Sequence, residues 1–231
     1  RFGNSNGAYS FDGVSNEILV ADSNTLDFPN GQFSISVNFK CGLLGTEQAF
    51  VDHLDYGGPS ILSRYTFRKL PNNKIRWGLK DESSKSAYID SNITLDENIW
   101  YNVTCSFNYS THEIHIYING ALQDGVITYD SNISSAILPP GLLKFGRYGD
   151  ADYFKGIIDD IAIYNRALSP QEIAQLYAPA PNYLWSTGET TATINPAPTE
   201  TTTYWCDVTV NGVTCRKEMT ITVNPNPAPI A

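Results

Sequence analysis

Two adjacent carboxylates, three histidines and four cysteines are the residues of this 231-residue chain whose types could carry chemistry. Asp159 and Asp160 stand in "GIIDDIAIYN", which reads as a strand, so their side chains must leave it on opposite faces. One meets solvent; the other is aimed at an interior where an unpaired carboxylate is costly. The apolar positions Ile158, Ile161 and Ile163 skip two residues around the pair, which predicts a bulge. A calcium ion would resolve the conflict, because it gathers about six to eight oxygens from carboxylates, carbonyls and water. A hydrogen-bonded Asp that holds the bulge would resolve it equally. His53, His112 and His115 fall in loop or strand contexts with no GxSxG or HExxH partner, so the chain is not expected to be an enzyme.

Cys41, Cys105, Cys206 and Cys215 lack the CxxC spacing of a zinc site and allow three pairings. Position and strand phase favour Cys41 with Cys105, both on the apolar faces of their strands, and Cys206 with Cys215 across the turn signal Asn211-Gly212. Such disulfides would imply export, and four buried free thiols are the alternative. Net charge is −9 and no Lys/Arg cluster exceeds a dipeptide, so nucleic acid is not an expected partner. The acidic balance suits a secreted protein or one that binds cations, although solubility alone explains it equally. No run approaches the roughly 18–20 apolar residues that span a bilayer, and a signal peptide is not expected within these residues. The chain opens mid-pattern at Arg1 and ends in "NPNPAPIA", as expected of a piece cut from a longer protein.

The elements that must position these residues are strands. "GQFSISVNFKC", "SILSRYTFRKL", "KIRWGLK", "IWYNVTCSFN" and "HEIHIYINGALQDG" show period-2 alternation or short apolar runs between Gly, Pro, Asn and Asp punctuation. Asn119-Gly120 is a two-residue hairpin signal. Many short strands without alternating helices predict an all-β antiparallel sandwich or jelly roll. One helix interrupts the pattern at "LSPQEIAQLY": Ser169 and Glu172 form a capping box, Pro170 takes the first helical position, and Pro179 ends it. Leu168 and Ile173 can close a staple, and Ile173, Leu176 and Tyr177 make an apolar stripe that must dock on something already folded. Residues 1–178 form the large domain, a Thr-rich β segment at 179–224 a small one, and 225–231 a Pro-rich linker. The four Asn-x-Ser/Thr sequons, at Asn92, Asn102, Asn108 and Asn132, mark surface loops only if the host glycosylates them.

"GAYSFDGVSNEILVADSNTLDFPNGQFSISVNF", "WYNVTCSFNYSTHEIHIYINGAL" and "GIIDDIAIYNRALSPQEIAQLY" together resemble the laminin-G-like, pentraxin-related jelly roll of bacterial extracellular proteins, over about residues 7–177. The resemblance implies two stacked sheets of concanavalin-like architecture, with the first segment pairing with the last and the helix closing the sandwich edge over a core end. It also implies a structural calcium held by Asp12, Asp22 and Asp159. Pentraxins carry a second, ligand-binding calcium on one sheet face, and the corresponding residues here are Asn72, Asn73, Asp150 and Asp152. Tyr148 falls where that family has a glutamate, which weakens calcium there and leaves a loop-forming role. Residues 183–223 are similar to the short immunoglobulin-like repeats of Bacteroidetes secreted proteins, which act as spacers.

Trp77, Tyr88, Tyr148 and Tyr153 could edge the concave face, where flat rings stack on sugars; Trp77, between Ile75 and Leu79, could instead be core. The related glycosidases use an alternating Glu-x-Asp-x-x-Glu strand that this chain lacks. The function expected is a non-catalytic, carbohydrate-binding, lectin-like module of a secreted or cell-surface protein, with polysaccharide or glycan as partner. Its ligand face is expected around Asn72, Asn73, Trp77, Tyr148, Asp150 and Asp152. The alternative is an adhesin or filament segment that binds another surface protein, with the small domain as spacer.

Overall fold

The computed structural model describes residues 7–42, 45–53, 64–81, 83, 85–123, 125–134, 137, 141–149, 152–177, 181–210 and 213–224. The chain divides into two compact units, Arg1–Tyr177 and Ala178–Ala231. Unit one is a sandwich of two antiparallel sheets. The six-stranded sheet contains β1 (Tyr9–Asp12), β3 (Gln32–Cys41), β8 (Trp100–Asn108), β9 (Glu113–Ile118), β10 (Ala121–Gln123) and β15 (Lys155–Tyr164), in the order β1-β15-β3-β8-β9-β10. The seven-stranded sheet contains β2 (Ile18–Val20), β4 (Gln48–His53), β5 (Arg64–Lys69), β6 (Ile75–Lys80), β7 (Ser86–Asp90), β11 (Ile127–Tyr129) and β12 (Leu143–Phe145), in the order β11-β7-β6-β5-β4-β12-β2. A short hairpin, β13 (Arg147–Tyr148) and β14 (Asp152–Tyr153), borders it. The first strand pairs with the last, Tyr9 opposite Ile158, as the resemblance implied.

Alternation puts every second residue between the sheets. From β3 these are Phe33, Ile35, Val37 and Phe39; from β8, Val103, Cys105 and Phe107; from β6, Ile75, Trp77 and Leu79. Aromatic rings bind the layers together: Phe28 stacks on Phe33 at 4.2 Å, and Phe33 meets Trp77 edge-on at 5.3 Å. Asn119 and Gly120, with φ of 53° and 78°, turn β9 into β10 in the two-residue hairpin expected. The predicted bulge lies in β15, where the register with β3 shifts between Asp159 and Ala162 and Asp160 takes a left-handed φ of 47°.

The helix α1 (Pro170–Tyr177) begins with the capping box: Ser169 N–H donates to Glu172 Oε2 at 2.9 Å, and Glu172 N–H to Ser169 Oγ at 3.3 Å. Arg166 adds a fork of 2.6 and 2.8 Å, and this ion pair, then the serine donors, push the Glu172 carboxyl down to about 2. Its position differs from the expectation of a plug for a core end. Leu168 and Ile173 pack on Tyr117, an outward residue of β9, so α1 lies on the outer face of the six-stranded sheet over a small apolar cluster of its own.

All four cysteines are free thiols, which corrects both pairings. Cys105 faces Ile35 across β3 and β8, leaving Cys41 six residues further along β3, about 20 Å at ~3.3 Å per residue. Both point inward, as their strand phase required, but three inward positions apart along β3. Burial pushes both thiols above the ordinary value. Unit two is a three-stranded sheet of β16 (Asn182–Trp185), β17 (Thr202–Val210) and β18 (Val213–Ile221). There Cys206 faces Lys217 while Cys215 faces Val208, a diagonal placement on one face whose Cα atoms are typically about 7–8 Å apart, too wide for a bridge. The turn signal Asn211-Gly212 and the 225–231 linker lie outside the described residues.

Candidate ligand-binding site

The three carboxylates expected to share a calcium ion are not brought together. Asp12 ends β1 opposite Lys155, four residues from Asp159 along β15, so about 13 Å separates them at ~3.3 Å per residue. Ligand oxygens sit about 2.3–2.6 Å from a calcium ion, which one ion cannot meet at both. Asp22 follows β2 in the other sheet. Each has a local task or site instead. Asp12 accepts the N–H groups of Ser15, Val14 and Asn16 at 2.8–3.1 Å, led by Ser15, and these hold its carboxyl well below the usual range. Asp159 Oδ1 accepts the Asp160 N–H at 2.9 Å, so it serves the bulge itself. Among the described residues no three His, Cys, Asp or Glu side chains group as metal ligands.

At the second expected calcium position, a lysine occupies the oxygens. Lys69 points inward at the end of β5 and is fully buried. Its ammonium donates to the Thr46 carbonyl at 2.5 Å, to Asn73 Oδ1 at 3.3 Å and to the Leu70 carbonyl at 3.5 Å. Asn73, left-handed at φ 62°, also accepts the Gly45 N–H at 2.9 Å. Asn72 is exposed and turns its oxygen back to the Lys74 N–H. The Asn73 oxygen, with two donors already on it, is therefore not open to a metal ion. Asp152 is paired with Tyr148 across β13 and β14, and Asp150 lies outside the described residues.

Trp77 is corrected from ligand face to core: it is fully buried, and its indole N–H donates to the Ser106 carbonyl at 3.3 Å. The same alternation that turns Trp77 in turns its neighbours Arg76 and Gly78 out, onto the outer face of the seven-stranded sheet. There Asp52, Thr66, Gly78, Tyr88 and Thr128 make one row across the strands, and Arg68, Arg76 and Asp90 the next. Arg76 forks onto Asp90 at 2.6 and 2.7 Å, and its guanidinium lies 4.5 Å over the Tyr88 ring. The Asp90 pair raises the Arg76 pKa further, so this charge is permanent. Arg68 pairs with Glu47 and lies 4.7 Å over the Tyr148 ring. At the row's centre Gly78 is buried, and a Cβ there would stand 3.2 Å from the Tyr88 Cβ, so glycine allows the close pairing of β6 with β7. Of the residues named for this face from sequence, Tyr88 and Tyr148 are on it; Arg68, Arg76 and Asp90 were missed. Their signal was present, since fixing Trp77 in the core forces Arg76 outward.

The outer face of the six-stranded sheet is polar in a different way. Ser34, Ser36 and Asn38 of β3 face Ser106, Thr104 and Asn102 of β8, and none is charged. Two hollows flank α1 on this face. One of about 480 Å³ includes Glu113, His115, Tyr117, Arg166 and Glu172, and the other, of about 340 Å³, lies by the β15 bulge.

Comparison with known proteins bears on the fold. The chain is similar to the heptameric SAP-like pentraxin from Limulus polyphemus, with a TM-score of 0.55 at 15% identity, covering 73% of this chain and 80% of the pentraxin. The botulinum neurotoxin serotype G binding domain matches at 0.58 and 17% identity, covering 97% of this chain and 72% of that domain. The serotype D ligand binding domain, solved in complex with N-acetylneuraminic acid, matches at 0.57 and 15% identity, over 90% of this chain but 63% of its own length. No curated protein matches the chain in sequence. The concanavalin A-like lectin/glucanases model matches residues 12–174, from the end of β1 into α1 and well over half of the sequence; the chain belongs to the concanavalin A-like lectin/glucanases superfamily.

Proposed function

We propose that unit one is a non-catalytic glycan-binding module whose site is the outer face of the seven-stranded sheet. The observation that carries this reading is the pair of guanidinium-on-tyrosine stacks, Arg76 on Tyr88 and Arg68 on Tyr148. Stacked planes offer a flat surface to the apolar face of a sugar ring. The Arg76–Asp90 fork offers donors and acceptors side by side, which suits the vicinal hydroxyls of a saccharide. Such a shallow site is weak for a single ring, and useful affinity comes from a polymeric target or repeated copies. The serotype D neurotoxin domain of the same fold, solved with a sialic acid, supports a saccharide over other ligands. We place the protein outside the cell on this ligand class alone, because the free thiols lend export no support. Unit two, an immunoglobulin-like spacer in this reading, sets the module's reach.

A glycan array probed with the full chain, followed by calorimetry of the strongest hit, tests the proposal. Arg76→Ala and Tyr88→Ala should each weaken that hit about tenfold or more while remaining folded at the assay temperature. Hits bound equally by both variants would move the site elsewhere. An empty array would favour the alternative, a protein receptor recognised by an adhesin segment.

A further inference from the structure

The hollow of about 480 Å³ at the start of α1 has the outer face of the six-stranded sheet as its floor and the Arg166–Pro170 segment as its wall. Cross-strand partners supply the floor: Ser106 stands opposite His115 and Asn108 opposite Glu113, with Tyr117 two residues further along β9. Ser34, the partner of Ser106 on β3, fixes the wall. Its hydroxyl donates to the Arg166 carbonyl and accepts the Leu168 N–H, each at 3.0 Å. The Arg166 guanidinium is in turn forked onto Glu172, so the cleft is formed before any ligand arrives.

Two hydroxyls on this floor are left for an occupant. Ser106 is 3% exposed and Tyr117 5%, yet among the described residues neither hydroxyl has a hydrogen-bond partner. Neither is among the unpaired polar atoms sealed from solvent, so both open into the hollow. Burial, and then the Glu113 charge, raises the Tyr117 phenol above its ordinary value, so at neutral pH it keeps its proton and can donate. The His115 ring, edge-on to Tyr117 at 6.1 Å, likewise has no hydrogen-bond partner among the described residues. Hydroxyl and imidazole groups can each donate and accept, which matches a ligand made of hydroxyls. The Arg166 and Glu172 charges cancel in their fork, and Glu113 leaves a negative excess that disfavours an anion. Among the described residues no three carboxylate, imidazole or thiol groups gather as metal ligands. An extended peptide would seek a free sheet edge, but β8 and β9 are each paired on both sides. A pyranose meets these conditions, with hydroxyls for the floor and a C–H face for Leu168 and Pro170, and the volume falls in the range of about 300–1,000 Å³ typical of ligand pockets.

We propose that this hollow beside α1 is a second saccharide site, taking one uncharged sugar ring on the sheet opposite the arginine–tyrosine face. Two sites on opposite faces let one domain hold two glycan chains. Titration of the ¹⁵N-labelled full chain with the methyl pyranosides of glucose, galactose and mannose tests it. Saturable shifts of the Ser106, His115 and Tyr117 amide signals are expected with at least one of them. Tyr117→Phe and Ser106→Ala each delete one hydroxyl without breaking a bond inside the protein, and Tyr117→Phe keeps the ring that Leu168 and Ile173 pack on. Both variants should stay folded and weaken that sugar about five- to tenfold. Arg76→Ala, on the other sheet, should leave the shifts unchanged. The proposal is overturned if none of the three sugars moves these signals. Wild-type affinity in either hydroxyl variant, or loss of the shifts in Arg76→Ala, would overturn it too. Since the Arg76→Ala arm separates the faces, failure here leaves the arginine–tyrosine face untouched.

Discussion

Replacing Trp77 by alanine separates a core role from a ligand role, and the structure gives the size of the effect. The indole is fully buried between the sheets, edge-on to Phe33 at 5.3 Å and 6.5 Å from Tyr65. Truncating a buried Trp to Ala typically costs about 3–5 kcal/mol in lost transfer energy and residual cavity. The hydrogen bond from the indole N–H to the Ser106 carbonyl goes with the ring, a further ~0.5–1.5 kcal/mol. Trp77→Ala should therefore destabilise unit one by about 4–6 kcal/mol, comparable with the whole stability of a marginal domain, typically ~5–15 kcal/mol. Trp77→Phe keeps most of the ring and loses chiefly the donor, so about 1–2 kcal/mol is expected. Urea denaturation followed by far-ultraviolet circular dichroism, which does not depend on the deleted fluorophore, reads both as shifts of midpoint at constant slope. An unchanged midpoint in Trp77→Ala together with lost glycan binding would refute the inward placement of β6 and all that follows from it, including Arg76 and Gly78 on the outer face.

Two further predictions concern ionisation and metal. His53 is fully buried, with Nδ1 2.9 Å from the Tyr65 hydroxyl and Nε2 3.2 Å from the Gly141 carbonyl, and burial lowers its pKa below the ordinary imidazole value. The unfolded chain then binds the proton more readily, so the neutral-state stability is whole above about pH 6.5 and is lost as pH falls toward the folded value. The urea midpoint should drop between neutral pH and about pH 5, and His53→Gln should flatten that slope; equal slopes would assign the acid sensitivity to carboxylates. Because Lys69 already supplies the cation at the rim, EDTA should leave the wild-type melting temperature unchanged, while Lys69→Met should lower stability by about 1–3 kcal/mol by orphaning the Thr46 and Asn73 oxygens. A melting temperature that falls in EDTA would restore a structural metal.

The sandwich, its hairpin, the bulge and the capped helix were legible because each follows from a short-range rule. Period-2 alternation assigned β3, β6 and β8; Asn119-Gly120 assigned a turn; Ser169 with Glu172 assigned a helix start. What alternation does not contain is register. Cys41 and Cys105 both have the inward phase that a bridge requires, and only the pairing of Ile35 with Cys105 sets them three inward positions apart. The helix shows the same limit: its apolar stripe says that it docks, while Tyr117, an outward aromatic on β9, decides where.

The candidate site failed to appear in sequence for a related reason. Asp12, Asp22 and Asp159 were grouped by the family resemblance, but strand pairing separates Asp12 from Asp159, and three backbone N–H donors already engage Asp12. Lys69 was invisible as a cation site because a lysine at a strand end reads as solvent-facing; only its phase, two residues after the core residue Phe67, turns the ammonium inward onto carbonyls. The arginine–tyrosine face was hidden behind Trp77. An aromatic in a suspected ligand face draws attention to itself, yet in a strand its burial is what exposes its neighbours. The residues that meet a ligand on this fold are the polar ones interleaved with the core, Arg76 and Gly78 on β6, Thr66 and Arg68 on β5. Phase is therefore the more informative guide than residue type, and the fall in binding expected of Arg76→Ala rests on the same alternation as the loss of stability expected of Trp77→Ala.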